Sequence, residues 1–162
     1  MTSEQQFVDA ALRAWKFNVD RVEASFGKLS DEQLQAQVAP GRNRLLYLLG
    51  HLAAVHDRML PLLGIGPRQH PELDSMFLEN ADSGAPAPVA SAALKDALID
   101  ADHALWNAFS QWSPADWLSK HTAVSDEDFA KEPHRNRLSV LLSRNSHLAF
   151  HHGQIVLTEP RR

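Results

Sequence analysis

Residues 8–29, VDAALRAWKFNVDRVEASFGKL, place Val8, Leu12, Trp15, Val19, Val22, Phe26 and Leu29 at successive spacings of 4, 3, 4, 3, 4 and 3. Apolar residues in that alternation share one face of an α-helix. A seam of this length is the mark of a long helix packed nearly parallel to neighbours in a bundle. Ser3 is the expected N-cap, and Gly27 loosens the last turn.

Three further stretches repeat the helical period. After a Pro-Gly-containing connection from Gln35 to Arg42, Asn43 is the expected cap of helix 2. That helix runs to about Leu63 with the stripe Leu45, Leu48, Leu52, Val55, Met59 and Leu62, ended by Pro61 and Gly64. Leu94, Leu98, Leu105, Phe109 and Trp112 define helix 3, from about Val89 to Trp112, stopped by Ser113-Pro114. Asn136 caps helix 4, whose stripe is Leu141, Leu148 and Ile155. Between them lie two long loops, from Gly64 to about Pro88 and from about Ala115 to Arg135; their central parts, Pro71 to Ser83 and Thr122 to Pro133, are lid candidates. No stretch reads as a strand. Arg42-Asn43-Arg44-Leu45 recurs as Arg135-Asn136-Arg137-Leu138, and His51-Leu52-Ala53 as His147-Leu148-Ala149. The expected fold is therefore all-α, a four-helix bundle of two αα-hairpins, in a single domain over residues 1–162.

Composition narrows the function classes. The chain has 162 residues, 44% hydrophobic and 22% charged, enough to bury about two-thirds of its unfolded surface around one core. A net charge of -4 lacks the basic excess that binds phosphate backbones or anionic membranes, so neither nucleic acid nor a membrane is an expected partner. No cysteine is present, which excludes disulfides, thiolate ligands and a cysteine nucleophile. With no basic apolar leader and no membrane-length apolar run, the expected location is the cytoplasm.

The chemistry lies in the histidines. His147 and His151 stand four positions apart in helix 4, so both leave one face about a turn from each other, where they can grip one metal ion. With nine histidines in the chain, chance alone supplies about half of one such pair, so the spacing needs support from elsewhere. On helix 4, His147, His151, Gln154 and Arg144 form one polar strip beside the apolar row. On helix 2, His51 and His56 flank the stripe on opposite sides, and periodicity does not choose between them; His51 shares its strip with Arg44, Tyr47 and Arg58. His152 points away from His147, toward the core edge or a supporting role behind the ligands. His103 is expected on a solvated face, and His70, His121 and His134 in loops. The absence of a glutamate after His147 excludes an H-E-x-x-H peptidase site, and the absence of any Glu-x-x-His excludes the usual di-iron bundle.

Four helices, Leu48-Leu49-Gly50-His51-Leu52 in the second, Asn136-Arg137-Leu138 opening the fourth, and His147-x-x-x-His151-His152-Gly153-Gln154-Ile155 within it together resemble the DinB-like (YfiT-like) superfamily of metal-dependent bundle proteins. The resemblance implies that His51, His147 and His151 hold one divalent transition metal, nickel or zinc first, iron or manganese next. It further implies chemistry on a small molecule, with a low-molecular-weight thiol as one class of cosubstrate. The family often has arginine where this chain has His152.

Three neutral imidazoles leave a coordination position open, the arrangement of a catalytic site, where a bound metal lowers the pKa of water to about 7 or holds a thiol as thiolate. The expected function is metal-dependent attack of a thiol or water on a small electrophile, with Arg44, Arg58 and Arg144 as receivers of a substrate carboxylate. The rival is a metal-binding or interaction protein without catalysis, a homodimer through a symmetric contact.

Overall fold

Thr2 caps α1 (Ser3–Lys28). Its Oγ1 accepts from the Gln5 amide at 3.2 Å while Gln5 Oε1 accepts from the Thr2 amide at 2.6 Å. The cap thus falls one residue before Ser3, where Thr2 and Gln5 close the reciprocal pair. Val8, Trp15, Val19, Val22 and Phe26 are buried along the seam, and Leu12 and Leu29 are partly buried against it.

The computed structural model describes residues 1–158; the end of the expected domain, 159–162, lies outside the described residues. Three more long helices follow: α2 (Leu45–Leu62), α3 (Ser91–Phe109) and, last in the chain, α6 (Arg137–Leu157). Between α3 and α6 the second expected loop contains two short helices, α4 (Pro114–Leu118) and α5 (Asp126–Lys131). At five and six residues they span less than two turns, too little for a period to register. α3 ends at Phe109, short of the expected Trp112, and Ser113 caps α4, with Asp116 completing a second capping box. The first expected loop is also folded in part, with a 3₁₀ turn at Pro71–Leu73 and a wide π-type turn at Ser75–Glu79 that bury Leu73 and Phe77 on α2.

Asn136 caps α6, accepting from the Ser139 amide at 2.9 Å. Asn43 does not cap α2. That helix begins after Arg44, which makes no side-chain cap; the Arg44 amide instead donates to Asp82 Oδ2 at 2.8 Å, and the Leu45 amide to the Ala36 carbonyl at 2.9 Å. Donors from a helix start that has no local cap are satisfied by the tertiary fold.

The most extensive helix pairings are α2 with α3 and α1 with α6, rather than α1 with α2 or α3 with α6. The two halves therefore interleave, and the expected side-by-side αα-hairpins give way to packing between them. The internal echo still has a structural counterpart. Each Arg-Asn-Arg-Leu segment enters its helix from an isolated antiparallel bridge, Gln37 with Arg44 and Lys120 with Asn136. Each bridge is preceded by a serine-capped turn that plugs the bundle with one fully buried residue, Leu34 or Trp117. At the second plug Trp117 packs on Phe109 and Trp112, with the Arg137 guanidinium over the Trp112 ring at 4.5 Å.

One close approach fixes the turn that faces the functional residues. A Cβ on Gly50 would lie 2.5 Å from three atoms of the Phe77 ring, which is itself fully buried and packed on Tyr47. A helical glycine normally costs about 0.5–1 kcal/mol relative to alanine, so Gly50→Ala would stabilise if the space were open. Overpacking costs about 1–3 kcal/mol and wins here. Gly50→Ala is expected to lower the unfolding free energy from urea titration by about 1–3 kcal/mol, with a correspondingly lower midpoint; a raised midpoint would show that Phe77 yields freely.

Candidate metal centre

α2 delivers His51 and α6 delivers His147 and His151 to one point. His147 Nε2 lies 3.1 Å from His51 Nε2 and 3.0 Å from His151 Nε2, and one ring nitrogen from each of the three falls within 4.8 Å of the others. This group of three histidines can hold a metal ion, and no carboxylate belongs to it among the described residues.

The outer nitrogens explain why the inner ones converge. His51 Nδ1 donates to the Phe77 carbonyl at 2.9 Å, and a carbonyl can only accept, so the proton sits on Nδ1 and Nε2 keeps its lone pair. His151 Nδ1 donates to Gln154 Oε1 at 2.7 Å, with the same result. Two bare nitrogens thus face His147 Nε2. A proton there cannot point along both contacts at once; His147 Nδ1 is buried without a hydrogen-bond partner whichever nitrogen carries the proton. A cation at the common point satisfies all three lone pairs. Metal–imidazole bonds of about 2.0–2.1 Å put neighbouring ligand nitrogens about 3.0–3.4 Å apart, so the two short edges fit.

Burial is the largest cause that lowers the pKa of each of the three rings. His147 is pushed down to about 3 by burial, then by His151, His51, Arg144 and His56. The hydrogen bonds to Phe77 and Gln154 oppose this at His51 and His151. The rings are therefore neutral at pH 7, the form in which imidazole binds metal.

The flanking residues sort by what holds them. Gln154 orients His151, and Tyr47 stacks on His51, with centroids 6.1 Å apart and planes 12° from parallel, while its hydroxyl donates to the Asn80 carbonyl at 2.8 Å. Arg44 is buried and engaged: it pairs with Asp82 at 2.7 Å and donates to Gln35, Gly84 and Ala85. Arg58 pairs with Asp74 at 2.6 Å. The expectation that these two arginines receive substrate thus meets prior partners that the sequence strip does not reveal. Arg144, one turn before His147, has no ion pair among the described residues and is half-buried. His152 is buried against α1, its Nε2 3.4 Å from Ser25 Oγ, on another side of α6 from the three histidines.

His56 resolves the ambiguity on α2. It is fully buried, with Nδ1 2.5 Å from Asp102 Oδ1 on α3 and its ring 5.0 Å from Trp15. Asp57 is spent on Arg68 and on the amides of Gln69 and His70. His103 is exposed, as expected. Of the lid candidates, the Pro71–Ser83 segment is scaffold for the centre through Phe77, Asn80 and Asp82; the other is tied to the end of α2 by Thr122, whose amide donates to Leu62 at 3.0 Å. Sequence reasoning missed the Phe77 carbonyl, which as backbone carries no residue signature, and Arg42. Arg42 lines a cavity of about 550 Å³ that opens beside His151 and Gln154, walled by Val38, Phe150 and Leu157.

A family model described as the DinB superfamily matches residues 14–155, and the chain belongs to that superfamily. No curated protein matches it.

The depressed histidines set a pH dependence for the metal-free protein. Folded values below the unfolded one, about 6.5, mean that the unfolded chain binds more protons as pH falls, so stability present at pH 7 is lost between about 6.5 and 3. Glu23 works oppositely: burial and the neighbouring Asp102 raise it to about 7, so its contribution is lost as pH rises through 7. The measurement is therefore a difference. Urea midpoints at pH 7, 6 and 5 should fall more steeply for wild type than for His147→Leu; parallel slopes would contradict a neutral buried triad.

Proposed function

We propose that this protein binds one divalent transition metal on His51, His147 and His151 and uses it to activate a thiol or water toward a small electrophilic substrate. The observation that supports the reading is the convergence of three Nε2 lone pairs, two of them aimed by outer hydrogen bonds. An all-imidazole set suits zinc or nickel, with iron or manganese less favoured. When bound, the ion supplies Lewis acidity and lowers the pKa of a ligated thiol or water.

The protein's own residues do the rest. Phe77 and Gln154 lock two rings so that little reorganisation is needed on binding. Phe150, Leu157 and Val38 shield the mouth beside His151, and Arg42 and Asn43 add polar donors at its edge. A cavity of about 550 Å³ matches a small molecule, and a net charge of -4 argues for that class over nucleic acid. No helix of the described residues is long and apolar enough to cross a membrane.

A second reading, metal binding without catalysis in a homodimer, draws on two observations. The ligand group includes no carboxylate to act as base. Phe7 and Phe17 on α1 and Phe150 and Leu157 on α6 are exposed, on helices that pack together.

Protein purified without chelator should carry about one metal ion per chain by elemental analysis. His51→Ala, His147→Ala and His151→Ala should each reduce occupancy at least tenfold while keeping the helical circular-dichroism signal. Variants that load as well as wild type would refute the centre. With metal present, turnover of low-molecular-weight thiols with electrophilic acceptors favours the enzyme; none with any pair, or with water, favours the second reading.

A further inference from the structure

The first two turns of α6 carry a different concavity from the one beside His151. It has a volume of about 330 Å³ and is lined by Arg135, Arg144, His121, His134, Ser139 and Ser143, with no carboxylate in its wall. Four arginines elsewhere meet acids, Arg13 with Asp9, Arg44 with Asp82, Arg58 and Arg68 with Asp74, while Arg21 and Arg137 lie over aromatic rings. Arg144 makes no ion pair among the described residues, and Arg135 reaches only Glu132, which lies outside the lining. That pair is solvent-exposed and holds the guanidinium weakly. His121 Nδ1 is buried with no hydrogen-bond partner. A concave wall with two guanidiniums, one without an ion pair and the other held only by an exposed one, and with no carboxylate to balance them carries positive charge that an oxygen-rich anion can meet.

We propose that this cavity is an anion subsite, taking the phosphate or carboxylate group of a small molecule. It rests on the metal-centre reading for one point only, what the other end of that molecule meets. Arg144 precedes His147 by three positions, so the two share a side of α6 about one turn apart. Its charge reaches the centre, being one of the causes that lower His147 and His51. A substrate anchored by its anion at Arg144 has its thiol or electrophilic end directed along α6 toward the histidines.

The test titrates inorganic phosphate and, separately, succinate into the purified full-length protein, following backbone amide resonances. Saturable shifts centred on residues 134–144 are expected. Arg144→Gln should weaken binding at least about tenfold, the loss of one charge-assisted fork, and Arg144→Lys should restore part of it. Arg42→Gln, beside the other cavity, should leave the affinity unchanged. Preference for phosphate or for succinate identifies the anion, and either supports the subsite. Absence of saturable binding by both probes, equal affinity in Arg144→Gln, or shifts centred on Arg42 would overturn it. Wild-type metal content separates the two readings: anion affinity retained in wild-type protein that carries no metal leaves the subsite standing while the metal centre falls, and anion affinity retained in His51→Ala shows that the subsite does not depend on the ion.

Discussion

The hydrogen bond from His51 Nδ1 to the Phe77 carbonyl is the contact on which the centre depends. It selects the tautomer that exposes Nε2, and it joins α2 to a turn that arrives 26 positions later in the chain. That carbonyl comes within reach because Gly50 lacks a Cβ and the Phe77 ring lies directly on the helix backbone. Tyr47 then covers the other side of His51 and is tied to the same segment through Asn80. Asp82, two residues further on, takes the Arg44 guanidinium and caps the start of α2. A segment with the composition of a loop thus fixes one ligand, one helix start and one wall. Polar groups on α2 and the carbonyls of an irregular segment satisfy each other, as buried polar groups must.

The interior holds ionisable groups of two kinds, kept apart by α2. On one flank, His51, His147 and His151 are neutral and face one another. On the other, His56 meets Asp102, with Glu23 alongside and Trp15 over the ring. Histidines facing one another repel a proton, which leaves the inner nitrogens of the three rings bare. Five positions on a single helix separate His51 from His56, enough rotation to place one imidazole in each environment. The group that can hold a metal therefore lies on the flank without acids, and the His56–Asp102 pair ties α2 to α3.

Much of this was legible in the sequence because it follows periodicity. The stripes located all four long helices, Asn136 announced its own cap, and the His-x-x-x-His spacing named two of the three residues that meet. His51 was separable from His56 only through the family resemblance, since both flank the same stripe. The rest depended on contacts without a local signature. Asp82 finds Arg44 across 38 positions, and the Phe77 acceptor is backbone. Helix pairing also escaped, because an apolar stripe states that a face is buried and not against what. The repeated Arg-Asn-Arg-Leu segments were real as structure, yet duplication of a motif does not require its two helices to pack on each other.

That interleaving bears on what a metal would do for the fold. α2 and α6, which carry the ligands, meet each other only narrowly, while each packs broadly on a different partner. An ion on His51, His147 and His151 would join the α2–α3 pair to the α1–α6 pair at the point where side-chain packing supplies least. Binding to the folded state alone stabilises by RT ln(1 + [L]/Kd), about 2.7 kcal/mol at a hundredfold excess over Kd. Marginal domains have roughly 5–15 kcal/mol in total, so a link of that size is a substantial share. The same geometry limits the cost of leaving a coordination position open for substrate, because three ligands from two helices already define the point. Structural linkage and open-site chemistry are thus compatible demands on one set of residues, and the locked outer nitrogens of His51 and His151 serve both.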